Sequence, residues 1–192
     1  MAQTGLTYTE GKFDRLRYEE LQELSHAMLG ELLSAQPAVI GETFALERGY
    51  PTPKVDVRTA VFADGRVLLV KEWQDGAWTL PGGWADESDS PKVAAEREVL
   101  EESGYVVRVT RLIAVKDRRM HGYRPQHLGG IYKLLFLAEL LGGEARTSEE
   151  TTEVGFFSPE QLPPLSLART LPDDIQLALA YQRDPALHTL FD

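Results

Sequence analysis

Three glutamates, Glu98, Glu101 and Glu102, stand at i, i+3 and i+4 within one stretch that reads as a helix. That spacing sets three carboxylates on one face, with Cβ atoms about 5–6 Å apart. Like charges so close oppose helix formation unless a positive charge stands among them, so the pattern asks for a cation. The helix is well marked at both ends. Ser90 is suited to the N-cap, Pro91 to the first helical position, and Gly104 to the stop after Ser103.

The surrounding residues give this face a context. Gly83, Arg97, Glu98, Val99, Glu101, Glu102, Gly104 and Tyr105 fit the pattern Gly, five residues, Glu, seven residues, Arg-Glu-apolar-any-Glu-Glu-any-Gly-apolar. Residues 83–105 therefore resemble the Nudix box, and eight matches at fixed spacing are far more specific than a lone glycine motif. One position departs. The first acid of the pattern falls on Asp89, one methylene shorter than Glu. The resemblance implies that this acid orients Arg97 and reaches a metal through water, with Asp86 and Glu87 as alternatives for that role.

Other stretches fit the same family. Residues 1–54 resemble the helical N-terminal extension of a bacterial subgroup. Thr52-Pro53-Lys54-Val55-Asp56-Val57-Arg58, Leu80-Pro81-Gly82-Gly83-Trp84-Ala85-Asp86 and Glu153-Val154-Gly155-Phe156-Phe157 fit it as well. The resemblance implies an α+β fold, an α/β/α sandwich with a mixed sheet over residues 54–192. Residues 1–53 would form a small helical extension that dimerises. It also implies Mg²⁺ or Mn²⁺ as cofactor, with Glu101 and Glu102 as primary ligands and the Gly82 carbonyl beside them. Glu98 is either a further ligand or the base for the attacking water, and Arg97 supports the catalytic set. In some relatives the base lies on a later acidic loop; Glu150 is the first choice there, followed by Glu149 and Glu153.

The bulk numbers narrow the alternatives. A chain of 192 residues with 43% apolar and 26% charged residues is one ordinary globular domain, or one with a small appendage. Without cysteine it has no disulfide, no zinc–thiolate site and no cysteine nucleophile. This also weighs against the isopentenyl diphosphate isomerase branch. The opening residues lack the order of a signal peptide, and the longest apolar run, 134–141, is broken by Glu139. A cytoplasmic protein without membrane contact is expected. The net charge of −10 argues against nucleic acid as a partner. It leaves the question of how an acidic protein holds a phosphorylated substrate. Divalent cations are one answer, and the basic cluster Lys116, Arg118, Arg119 and Arg124 either contacts phosphate or balances nearby acids.

Periodicity places the remaining elements. Leu21, Leu24, Met28 and Leu32 mark an amphipathic helix over 14–34, and Pro37 opens a second over 38–47. Two such helices cannot bury their apolar faces alone, so they pack on the main domain or on a second copy. A hairpin is expected over 55–62 and 66–72 about Asp64-Gly65. Further strands are expected over 106–116, 130–139 (central) and 154–157, and a closing helix over 173–182. A polar, basic loop over 118–128 would cover the site and bring Arg118, Arg119 and Tyr123 to the substrate, with Trp84 at the rim. Tyr123 lies where dinucleoside polyphosphate hydrolases carry Tyr, and Pro125 near where ADP-ribose enzymes carry Pro, so these cues cancel. His121 and His127 are expected to be structural or solvent-facing.

The leading expectation is hydrolysis of a nucleoside diphosphate linked to another group, such as CDP-choline-like, UDP-linked or ADP-ribose substrates. A dinucleoside polyphosphate hydrolase and a non-catalytic nucleotide sensor are the alternatives.

Overall fold

A computed structural model describes residues 1–34, 36–45, 49–127 and 129–192, which divide into two compact units, Met1–Thr52 and Pro53–Asp192. The first unit is helical: α1 (Ala2–Tyr8), α2 (Lys12–Leu33) and α3 (Pro37–Ala45). The two expected helices are present. The expected end of the second, at Glu47, lies outside the described residues. α1 was not expected, because Gly5 and two threonines are poor helix formers. Packing overrides that propensity. The Tyr18 ring lies so close to Gly5 that a Cβ there would come within 2.5 Å of it. Along the apolar stripe of α2, Leu24, Met28 and Leu32 are 57%, 65% and 78% exposed.

The second unit is built on a mixed sheet. β1 (Lys54–Ala63) and β2 (Arg66–Glu72) form the expected hairpin. Asp64 and Gly65 both take positive φ, 49° and 73°, as a tight hairpin turn matched to strand twist requires. β2 also pairs with β3 (Trp78–Thr79) and β6 (Thr151–Phe157). β5 (Ile131–Gly143) is central, parallel to β1 and antiparallel to β4 (Tyr105–Asp117). β7 (Leu190–Phe191) runs parallel along the far edge of β4. The central strand was expected to end at Glu139, yet β5 continues through Gly143. Gly142 and Gly143 pair with Val106 and Tyr105, at φ values that glycine alone accepts easily.

Two helices cover opposite faces of this sheet. α4 (Pro91–Ser103) packs Ala94, Ala95 and Val99 against Val57, Val61, Leu68 and Phe136. α5 (Pro172–Arg183) packs Ile175 and Ala178 against Ala60, Val67, Leu69 and Ile113. Alternate residues of β1 thus serve different cores, as the two-residue period of a strand dictates. Each buried Val or Leu contributes roughly 1.5–3 kcal/mol. This holds α4 rigidly over the sheet. Among the described residues no helix is long and apolar enough to cross a membrane.

Candidate active site

α4 is fixed at both ends as its sequence demands. Ser90 Oγ accepts a hydrogen bond from the Val93 amide at 3.4 Å, and Gly104 leaves the helix at φ 77°. A Cβ at Gly104 would lie 2.4 Å from the Glu144 carbonyl oxygen, so glycine is required there. The inner face of the helix begins with Ala94, Ala95 and Val99 in the core and continues through Glu98 and Glu102, which are 8% and 4% exposed. Glu101 stands at the edge of that stripe, with its side chain 56% exposed. The three-glutamate face is therefore divided: two acids are carried inward on the core-facing stripe and one stays outside.

The segment after β3 brings backbone to these acids. Thr59 N donates to Pro81 O at 2.9 Å, Val57 N to Gly83 O at 2.8 Å, and Ala85 N to Val55 O at 3.0 Å, laying residues 81–85 along β1. The fit leaves no room for side chains. A Cβ on Gly82, whose φ is 142°, would stand 2.0 Å from Val57 O, and one on Gly83 would stand 2.9 Å from Glu98 Oε2. The Gly82 amide donates to Glu102 Oε2 at 2.8 Å.

Glu98, Glu102, Gly82 and Gly83 line a cavity of about 340 Å³, which Glu72 and Glu150 also line. Burial pushes Glu102 up to about 8, against the opposing pull of Arg58 and the Gly82 N–H. Burial also raises Glu98, with Arg97 and Arg58 opposing, and raises Glu72, with Arg169 and Arg58 opposing. Desolvated carboxylates crowded together favour a proton or a cation in their midst. The donor set of four carboxylates beside a glycine backbone fits a hard divalent ion such as Mg²⁺ or Mn²⁺. Among the described residues no three such groups already converge on one point. Glu98 leans toward Arg97, and Glu102 toward the Gly82 amide.

Arg97 organises the outer edge. It lies 3.0 Å from Asp89, 3.1 Å from Glu98, 2.8 Å from Glu101 and 3.3 Å from Asp86. The first, through Nε, and the third, through Nη1, are hydrogen bonds. The contact with Asp86 is an ion pair without hydrogen-bond geometry, since Arg97 Nη2 has no hydrogen-bond partner. Asp89 thus stands against the arginine of the box despite its shorter side chain.

A second cavity of about 380 Å³ adjoins the first and shares Arg58, Gln74, Gly83, Trp84 and Arg169 with it. Arg118, Pro125, Gln126 and His127 close it from the 118–127 loop. Glu101, Arg119 and Tyr123, expected to meet metal or substrate, line neither cavity. Glu101 is held by Arg97, and Arg119 folds back onto Asp117, with Nη2 at 2.5 Å. Tyr123 is turned inward, 2% exposed, and donates to Asp174 at 2.9 Å, so its hydroxyl is engaged in the core. Lys116 is likewise buried on Asp174 at 2.7 Å. His121 pairs with Asp192 at the surface, and Arg124 anchors the loop through its amide to Leu167 O. Glu149 lines neither cavity, and Glu153 pairs with Lys71 at 2.7 Å.

Sequence reasoning missed Arg58, Glu72 and Arg169. Arg58 Nε lies 3.0 Å from Asp56, and Lys133 pairs with the same carboxylate. Arg169 lies 3.0 Å from Glu72 and 3.2 Å from Asp75, and donates to Gln74 at 2.7 Å. A signal existed for Asp56 and Arg58. They are charges two apart on one side of a strand that is otherwise buried, a placement that requires partners or a site. Glu72 and Arg169 carry no local pattern.

Comparison with known proteins agrees with this architecture. Residues 52–177 match the NUDIX domain, and residues 1–44 match the UDP-X-like, N-terminal oligomerisation domain. YjhB of Bacillus subtilis (strain 168), named provisionally as an ADP-ribose pyrophosphatase, is 39% identical over 192 residues, covering 100% of this chain and 92% of its own. The crystal structure of an ADP-ribose pyrophosphatase from Streptococcus suis 89-1591 superposes with a TM-score of 0.68 at 40% identity, over 73% of this chain and 100% of that one. That of a UDP-X diphosphatase superposes with a TM-score of 0.68 at 32% identity, over 100% of this chain and 92% of that one. With its box helix, its glycine-laid backbone and these relatives, the chain belongs to the Nudix family of hydrolases.

Proposed function

We propose that this enzyme hydrolyses the diphosphate bond of a nucleoside diphosphate linked to another group, giving a nucleoside monophosphate and a phosphorylated partner. The observation that carries this reading is the cavity lined by Glu72, Glu98, Glu102 and Glu150, opening beside one lined by Arg58, Arg118 and Arg169. Glu98 and Glu102 would hold Mg²⁺ or Mn²⁺ with help from Glu150 and the Gly82 backbone, and Glu101 from the helix edge. The bound cation would supply charge neutralisation on the diphosphate and a more acidic water. Glu98, its carboxyl raised by burial, is suited to take a proton from the attacking water, and Glu150 is the second candidate. Arg97, paired to Asp89 and Glu101, holds the outer acids in place and plays a positioning part.

Two relatives support different substrates, ADP-ribose and UDP-linked compounds. The buried Tyr123 removes the observation that favoured a dinucleoside polyphosphate. The exposed apolar stripe of α2 and the match to an oligomerisation domain support a homodimer.

The test is a panel of ADP-ribose, UDP-sugars, CDP-choline, dinucleoside polyphosphates and nucleoside triphosphates, assayed with Mg²⁺ and with Mn²⁺. Turnover is expected on one or more of the first three. Binding without turnover across the panel would move the enzyme to the sensor class.

A further inference from the structure

Arg118 carries a charge that the fold does not answer. It follows β4 at the start of a short 3-10 turn, Arg118–Met120, and is 8% exposed. The basic side chains around it each have an acid. Lys116 has Asp174 at 2.7 Å, Arg119 has Asp117 at 2.5 Å, Arg58 has Asp56 at 3.0 Å and Arg169 has Glu72 at 3.0 Å. Among the described residues no carboxylate lies within ion-pair distance of Arg118. Asp56 is close enough to act on it through space, but that carboxylate is already held by Arg58 and Lys133. What Arg118 has is a hydrogen bond from Nη2 to Pro125 O at 2.6 Å, and the face of the Tyr123 ring 5.9 Å away. Its desolvation is incompletely compensated, and burial lowers its pKa accordingly.

A buried cation without a counterion costs several kcal/mol. A guanidinium is also the side chain best shaped to take two oxygens of a phosphate or carboxylate at once. Arg118 lines the second cavity, which adjoins the carboxylate cavity. We propose that Arg118 is the anion-reading residue of the substrate site, its guanidinium engaging an anionic oxygen pair on the part of the substrate that enters this second cavity. The oxygen pair comes either from the phosphate of the diphosphate farther from the carboxylates or from an acid group on the linked moiety. This rests on the diphosphate reading of the adjoining cavity.

The experiment compares wild type, Arg118→Gln and Arg118→Lys in two ways. The first is thermal melting of the metal-free protein with and without inorganic pyrophosphate, which reads Arg118 even if no nucleotide is turned over. Pyrophosphate is expected to raise the melting temperature of wild type and to raise that of Arg118→Gln much less. Without ligand, Arg118→Gln should melt at or above wild type, because an uncompensated charge has gone. The second is kcat/KM on UDP-glucose and UDP-glucuronate, which differ by one carboxylate. If the diphosphate supplies the anion, Arg118→Gln loses about tenfold or more on both. If the linked moiety supplies it, the loss is confined to UDP-glucuronate. Arg118→Lys, which keeps the charge without the fork, should fall between. Equal pyrophosphate stabilisation in wild type and Arg118→Gln together with unchanged kcat/KM on both substrates would overturn the proposal. A lower ligand-free melting temperature with unchanged pyrophosphate response would reduce Arg118 to a prop for the Pro125 loop. Failure of wild type to hydrolyse any member of the nucleotide panel, with the pyrophosphate difference intact, would instead fault the diphosphate reading.

Discussion

Two adjoining cavities share Arg58, Gln74, Gly83, Trp84 and Arg169, yet the charge each leaves over is opposite. One gathers Glu72, Glu98, Glu102 and Glu150. The other has Asp56 among Arg58, Arg118 and Arg169. The difference teaches how a protein of net charge −10 can handle a phosphorylated substrate. It sorts the signs over a short distance, with a place for a cation on one side and for an anion on the other. Arg169 stands at the boundary and is already committed to Glu72, so it separates the two fields as well as lining them.

The largest effect expected from disturbing this arrangement is on the acidic side. Glu102→Gln should lower turnover by orders of magnitude, because it removes a charge from the inner stripe of α4. It should also leave the fold in place, since an amide oxygen can still accept from the Gly82 N–H. Glu101→Gln should cost less, about 10–100-fold, because Glu101 would reach the cation only from the helix edge, where Arg97 holds it. Steady-state kinetics with melting curves for both variants checks this, and equal losses would erase the distinction between the inner and outer glutamates.

A smaller effect concerns pH. Glu102 is raised from 4.5 to about 8 in the folded protein. Between those values the native metal-free state binds a proton that the unfolded chain has released. Its contribution to stability is therefore full at low pH and is lost as pH rises toward about 8. Metal binding, which needs the ionised carboxylate, should strengthen in the same direction. Metal-free melts between pH ~5 and ~8 should show a decline in wild type that is flatter in Glu102→Gln. The same slope in both would assign the pH dependence elsewhere.

The two cavities also differ in how legible they were. The acidic one rests on α4, whose cap, stop and glutamate spacing are all local, and the hairpin before it was announced by Asp64-Gly65. The second is assembled from residues 56, 58, 74, 84, 118, 126 and 169, which only the tertiary fold brings together. Spacing from the box placed Tyr123 in the right loop without saying which way it faces. Burial against Asp174 decided that. Local propensity likewise hid α1, which exists because Tyr18 packs over Gly5. Charge clustering within a loop was a poor guide too. Of Lys116, Arg118 and Arg119, the first is neutralised by the distant Asp174 and the last by the nearby Asp117, and only burial and pairing single out Arg118.

The central claim is that the inner carboxylates of α4 form a divalent-cation site. Mn²⁺ binding to the protein without substrate, followed by electron paramagnetic resonance, tests it most directly. Wild type and Arg118→Gln should bind Mn²⁺ alike, while Glu98→Gln and Glu102→Gln bind it about tenfold or more weakly. Undiminished Mn²⁺ affinity in both glutamine variants would contradict the account.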